Sequence, residues 1–253
     1  MVVARAGAAR AGSTKGLASG AAPGAVSPQG LEKKVVRRGG SAHARGMESP
    51  ALVLLLDYPD GEWLPAALRA ELGEAFTARI VRLLAELQLA NAPQNWPTEV
   101  HVAPGERVAE VRRWLGSKPI TVHAQVSAPF GERVAQAAAE ATTRHEDMVI
   151  LLRPDCPYCT VDQIVAAAKA LLEHEVVLGP TTDGDFYLLG LRRWPAGLLH
   201  EVNWGTNQVL FGITKRCEEL ALKVRLLDPL ERVRDVPSWD RAVERLSGGA
   251  GKI

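Results

Sequence analysis

The stretch EVVLGPTTDGDFYLLGL, Glu175 to Leu191, sets the frame for the rest of the chain. It reads as an apolar β-strand that enters a Gly179-Pro180 turn, crosses an acidic Asp183-Gly184-Asp185 corner and emerges as a second apolar strand. Glycine at such a corner lets another group approach the backbone, and the two carboxylates can bind a hydroxyl, an amine or a metal ion. On spacing alone the corner also reads as an ordinary loop with solvated charges.

Strand-like and helix-like segments alternate on either side of this stretch. Ala51 to Asp57 is a continuous apolar run that ends in an acid and a Tyr-Pro-Asp-Gly turn. Leu68, Leu72, Phe76, Ile80, Leu83, Leu84 and Leu87 recur at three- and four-residue steps, which predicts one long amphipathic helix. Thr98 to Ala103 alternates as a strand, Gly105 to Leu115 suits a short helix, and Ile120 to Ala124 is a weaker strand. An alanine-rich helix from Phe130 to Thr143 and a buried strand from Met148 to Leu152 follow. Val161, Ile164, Val165, Ala168, Leu171 and Leu172 then mark a helix capped by Thr160. This rhythm implies parallel strands joined by right-handed crossovers, so the expected fold class is α/β, a three-layer α/β/α sandwich with a mainly parallel central sheet. Ligands of such sheets bind at the carboxyl ends of the strands, here Asp57 to Gly61, Arg153 to Cys159 and Pro180 to Asp185.

Composition divides the chain. Residues 1–46 hold eight Lys or Arg and one Glu, and the remaining 207 residues hold 22 basic and 28 acidic side chains. The first part has almost no large apolar residues, so we expect a disordered basic extension on a single folded domain spanning residues 47–253. A basic arm for nucleic acid or membrane, or an Arg-rich transit peptide, is the functional alternative, and translation starting at Met47 is a third. The longest apolar runs are too short to span a bilayer. Three cysteines cannot build a disulfide framework, so the expected compartment is the reducing cytoplasm. The tryptophans are scattered singly, without a stacking platform for nucleic acid, and the six histidines show no paired metal-ligand spacing.

Two motifs carry chemistry beyond the acidic corner. In Met148-Val-Ile-Leu-Leu-Arg-Pro-Asp155 a carboxylate stands just past a buried strand, where it can take a hard cation that bridges phosphate oxygens, or merely cap the next turn. Cys156-Pro-Tyr-Cys159 between strand and helix resembles the redox loop of glutaredoxins, in which a helix N-terminus stabilises a thiolate. The Thr-Val-Pro segment and Gly-Gly turn of those proteins are absent, and two semi-buried thiols in a tight loop is the competing reading.

Taken together, residues 147–243 resemble the glycosyltransferase-like family of domain of unknown function 2064. The motifs are the strand into Asp155-Cys156-Pro157, Val177-Leu-Gly-Pro180 with Asp183-Gly184-Asp185-Phe186-Tyr187, Asn203-Trp204-Gly205-Thr206, and Arg234-Asp235-Val236-Pro237 before a closing helix. The resemblance implies a glycosyltransferase type A-like fold and a metal-dependent transferase acting on a nucleotide-activated donor such as a nucleotide-sugar. It implies Mg²⁺ or Mn²⁺ as cofactor, with Asp155 and Asp235 as metal ligands. The resemblance assigns no general base, and Asp183 and Asp185 are the candidate catalytic carboxylates by residue type. It places Gly184, Tyr187, Trp204, Gly205 and Thr206 at the substrate pocket, and Arg153, a departure from the family, is the candidate for a substitute phosphate contact. The chain departs from the family where a Lys-Thr-Arg is usual after the first turn: Asp60-Gly61-Glu62-Trp63-Leu64-Pro65-Ala66-Ala67 has no basic residue. It also has Arg153 where a small residue is usual. The alternative reading is therefore a non-catalytic binding or regulatory member of the same fold.

Overall fold

A computed structural model describes residues 49–145 and 148–248. All described residues belong to one compact unit. The expected basic extension lies outside the described residues.

Strands β1 (Ala51–Asp57), β2 (Thr98–Ala103), β3 (Thr121–Ala124), β4 (Val149–Leu152), β5 (Val176–Pro180), β6 (Phe186–Leu191) and β7 (Val224–Leu226) form one sheet in the order β3-β2-β1-β4-β6-β5-β7. Only β6 runs against the rest, pairing antiparallel with both β4 and β5. This is the expected mainly parallel α/β sandwich, and its exception has a local cause. The corner between β5 and β6 is too short for a crossover, so the chain must return antiparallel. Insertion of β6 beside β4 then brings the Asp183-Gly184-Asp185 corner next to the end of β4.

The continuous apolar strands are explained by helices on both faces. Ala51, Val53 and Leu55 of β1 face one core cluster with Val149, Leu151, Val176 and Leu178. This side is covered by α4 (Phe130–His145) and α6 (Val209–Glu219). Leu52, Leu54 and Leu56 face the other, with α3 (Val108–Leu115), α5 (Val161–Ala170) and Ala85 of α2 (Glu74–Ala90). A third cluster joins Leu68 of α1 (Ala66–Leu72), Ile80 and Leu84 of α2, Val233, and Ala242 of α7 (Val236–Gly248).

The predicted single helix over Leu68 to Leu87 is instead α1 and α2, broken at Gly73. That residue has φ +77°, a left-handed conformation that glycine adopts without a Cβ penalty. The break changes the phase of the apolar stripe, so Phe76 and Leu83 are exposed while Thr77 and Gln88 are buried. Gln88 Nε2 donates to the Cys156 carbonyl at 2.6 Å while its Oε1 stays buried without a partner, and Thr77 donates to the Gly73 carbonyl at 2.8 Å. Among the described residues no helix is long and apolar enough to cross a membrane.

Candidate functional site

Asp57 closes β1, Arg153 and Asp155 follow β4, and the Thr181–Asp185 corner follows β5, so the three groups meet at the same edge of the sheet. The segment after β7 is stitched to this edge by its backbone. Thr182 donates to the Leu230 carbonyl at 3.0 Å, Leu230 to the Pro180 carbonyl at 3.0 Å, and Val233 to the Asp155 carbonyl at 2.7 Å. Val233 points into the third core cluster, and the residues flanking it, Arg232 and Arg234, line the cleft.

The corner is rigidly built. Thr181 Oγ1 donates to Asp183 Oδ1 at 2.6 Å and accepts from the Asp185 amide at 3.0 Å. Gly184 has φ +85°, and a Cβ there would collide with the Asn207 carbonyl. The Leu210 amide donates to the Gly184 carbonyl at 2.9 Å, fixing the 203–208 loop over the corner. Trp204 of that loop lies edge-on to Phe130 at 5.5 Å between ring centres and to Phe186 at 6.3 Å. Its indole fills the space where a side chain on Gly131 would stand.

Four arginines meet four carboxylates in this cleft. Arg153 donates to Asp185 Oδ2 at 2.5 Å and to Asp155 Oδ2 at 2.9 Å. Arg232 donates to Asp183 Oδ2 from Nε at 2.9 Å and to Asp185 Oδ2 from Nη1 at 2.9 Å. Arg234 also pairs with Asp183, and Arg133 Nη1 donates to Asp57 Oδ1 at 2.7 Å and to Gln125 Oε1 at 2.8 Å. Burial pushes the Asp183 carboxyl up, but the bonds from Thr181, Arg232 and Arg234 outweigh it and hold the group at about 2. Burial opposes the charge of Arg153 as well, and Asp155 and Asp185 more than restore it, raising its pKa.

The cleft has two adjoining lobes. One, of about 470 Å³, is polar and is lined by the corner, the arginines and Trp204 to Asn207. The other, of about 380 Å³, is walled by Trp63, Leu64, Pro65, Ala66, Leu68 and Val81 and opens onto Arg153, Arg232 and Arg234. The Asp60 to Ala67 stretch that lacks cations thus contributes an apolar wall, and the cations come from elsewhere in the chain. Asp60 itself pairs with Arg107 at 2.8 Å.

Of the residues singled out in the sequence, Arg153, Asp155, Asp183, Asp185, Trp204, Gly205 and Thr206 line these lobes, and Gly184 supports the corner. Tyr187 does not reach the cleft. It is fully buried in the cluster on the opposite face of the sheet, against Gly179, with its hydroxyl donating to the Asp228 carbonyl at 3.4 Å. Asp235 is outside the lining as well: its Oδ1 accepts from the Ser238 amide at 2.9 Å and the Ser238 hydroxyl at 2.5 Å, capping α7. Arg133 and Arg232 carried no expectation in the sequence; Asp57 was marked there only as the start of a ligand-binding strand end, and Arg234 only as part of the motif before the closing helix. The alternation Arg232-Val233-Arg234 beside Asp235 is the sequence signal that could have found the two cations after β7.

The redox reading of Cys156 and Cys159 is corrected. Both thiols are free and buried; Cys156 donates to the Glu231 carbonyl at 3.2 Å, and burial raises its pKa and pushes Cys159 up to about 12. Helix α5 starts at Val161, beyond both cysteines, and burial is the dominant influence on each thiol.

Mg²⁺ or Mn²⁺ does not fit the cleft as it is arranged. Asp155 Oδ2 and Asp185 Oδ2 share the Arg153 guanidinium, and Arg232 lies 3.7 Å from Asp155 Oδ2. Asp155 Oδ1 is without a partner, but it is shut away from solvent and supplies one oxygen where hard cations take six or more, protein, substrate and water together. A different group of side chains does have metal-binding geometry. The pairing of His101 with His123 across β2 and β3 brings ligand atoms of Glu99, His101 and His123 within 4.8 Å of one another. Histidines with no ligand spacing along the chain are thereby gathered by strand register. Arg144 also reaches this group, donating to both Glu99 oxygens at 3.0 and 2.7 Å.

Residues 86–206 match the family described as "Uncharacterized protein conserved in bacteria (DUF2064)". The match begins earlier than the motifs that carried the resemblance and ends before Arg234-Asp235. No curated protein matches the chain. Among solved structures, a candidate nucleotide-diphospho-sugar transferase from Desulfovibrio desulfuricans G20 superposes with a TM-score of 0.72 at 22% identity, covering 80% of this chain and 89% of its own. The 4-diphosphocytidyl-2C-methyl-D-erythritol synthase from Anaerococcus prevotii DSM 20548 gives 0.53 at 11% identity, covering 80% of this chain and 100% of its own. A CMP:2-keto-3-deoxy-manno-octonic acid synthetase complexed with CTP gives 0.51 at 13% identity over 80% of this chain. At these identities the likeness is one of fold. Residues 86–206 of the chain thus match the DUF2064 model, and its α/β sheet has the fold of the candidate nucleotide-diphospho-sugar transferase from D. desulfuricans.

Proposed function

We propose that the cleft binds a nucleotide-activated donor, such as a nucleotide-sugar, and transfers its activated group to an acceptor hydroxyl. The observation that carries this reading is the convergence of Arg153, Arg232 and Arg234 on a polar lobe that opens into an apolar one, at the strand ends of a transferase-type sheet. Guanidinium groups bind phosphate oxygens bidentately, and fixed cations stabilise charge that develops on a diphosphate leaving group. The apolar lobe takes the less polar end of the ligand. The acceptor oxygen would bond to the transferred carbon as the bond to the diphosphate breaks, and the acceptor's proton would pass to a carboxylate of the corner.

Asp183, held at about 2, is a poor base while Arg232 and Arg234 engage it. A diphosphate that takes those arginines would release it, raising its basicity when the donor is in place. Trp204, Gly205 and Thr206 close the acceptor side. The three buried, free cysteines suit a reducing, cytoplasmic setting.

Titration calorimetry against UDP-, GDP-, ADP- and CDP-sugars tests this reading. One of them is expected to bind saturably, and Arg232→Ala with Arg234→Ala to weaken it at least tenfold. No binding by any of the four would overturn the proposal. Pairing of each cleft carboxylate with an arginine favours one second reading, a binding member without turnover. It predicts saturable binding with no release of nucleotide in the presence of acceptors.

A further inference from the structure

We infer that the Arg153 guanidinium occupies the place of a divalent cation in this cleft, so that ligand binding needs no divalent metal. The inference rests on the reading of the cleft as a site for a phosphorylated ligand. The carboxylates that could share a cation, Asp155 from the end of β4 and Asp185 from the corner, are both already bridged by one guanidinium, at 2.9 and 2.5 Å. A metal ion joining the same pair would have to expel that group.

Arg153 is held there from every side. Its amide donates to the Tyr187 carbonyl at 3.0 Å, which extends the pairing of β4 with β6 by one residue and fixes where the side chain starts. Its guanidinium lies over Phe130 at 5.2 Å and over Phe186 at 5.9 Å, and its side chain is only 15% exposed. Guanidinium keeps its charge at any physiological pH and presents planar donors to carboxylate or phosphate, whereas a hard cation must first lose part of its water shell. Balance of charge points the same way. Asp57, Asp155, Asp183 and Asp185 are matched one for one by Arg133, Arg153, Arg232 and Arg234, so the cleft holds no excess negative charge to attract a dication.

Electron paramagnetic resonance of Mn²⁺, titrated into the full chain without nucleotide, tests this directly. Comparison with Asp155→Asn isolates the cleft from the Glu99 and His101 group. No Asp155-dependent Mn²⁺ binding is expected in the wild type. Arg153→Gly, with its circular dichroism unchanged, should gain an Mn²⁺ site that Asp155→Asn abolishes. Pyrophosphate and UDP should bind the wild type with affinities that agree within twofold in EDTA and in Mg²⁺. An Asp155-dependent Mn²⁺ signal in the wild type, a folded Arg153→Gly that gains no site, or at least tenfold tighter binding in Mg²⁺ would each overturn the inference. If neither pyrophosphate nor UDP binds, the nucleotide reading fails while the Mn²⁺ titration still decides the role of Arg153.

Discussion

Asp185 joins the end of β4 to the segment after β7 through one carboxylate oxygen. Its Oδ1 accepts from the Phe186 amide at 2.9 Å, and its Oδ2 accepts from both Arg153 and Arg232. Asp185→Asn would keep the shape and remove the charge, leaving two largely buried guanidiniums short of a partner. Breaking a buried pair from one side typically costs about 3 kcal/mol. Urea denaturation should therefore show a loss of that order at unchanged m-value, and a change below about 0.5 kcal/mol would contradict the coupling described here. Asp183 and Asp185 were legible in the sequence because an Asp-Gly-Asp between two apolar strands is a corner signal in itself. Tyr187 was misplaced for a reason of parity: neighbours along a strand point to opposite faces, and the sequence does not say which face closes the cleft.

Helix α7 shows how an element end can resemble a site. In Asp235-Val-Pro-Ser238 the carboxylate accepts from the Ser238 amide, while the Ser238 hydroxyl accepts from the Asp235 amide at 3.1 Å. This reciprocal cap satisfies backbone donors that the first turn of a helix leaves unpaired. Asp235→Ala should lower stability by about 1 kcal/mol. The same variant should bind the nucleotide ligand with unchanged affinity, and a tenfold loss in calorimetry would return Asp235 to the site. The cap pattern can be read from sequence as readily as the metal-ligand reading that displaced it. Helices α1 and α2 teach the converse, because the apolar period continues across Gly73 although the helix does not. A single glycine outweighs a periodic pattern when its positive φ interrupts the helix.

Across the whole molecule, charged groups at the two ends of the sheet make stability depend on pH. Burial raises the Glu99 pKa, but bonds from His101, Arg144 and His145 reverse this and hold it far below its ordinary value of 4.5. Asp183 is held at about 2 against an ordinary 3.8. Both carboxyls have lower pKa values folded than unfolded, so their stabilisation is complete above about pH 4.5 and is lost as pH falls below it. His123 is held below 6.5, chiefly by burial, so a smaller loss begins as pH falls through that value. Denaturation midpoints should fall from pH 7.5 to 5.5 and again from 5.5 to 4.0, and Glu99→Gln should shrink the second step while lowering the first value. A midpoint that rises or holds from pH 5.5 to 4.0 would refute this account.

The amino-acid order by itself determined the layers, the strand ends and the acidic corner, because apolar periodicity, glycine and proline act over a few neighbouring residues. Tertiary structure decided which charges meet. Arg232 and Arg234 face Asp183 only because the chain after β7 pairs its backbone with Pro180 and Asp155. Arg153 stands between two carboxylates only because β6 folds back beside β4. Coulomb interactions act through space with no regard for separation along the chain, so the groups that neutralise the cleft become visible only when the sheet is assembled.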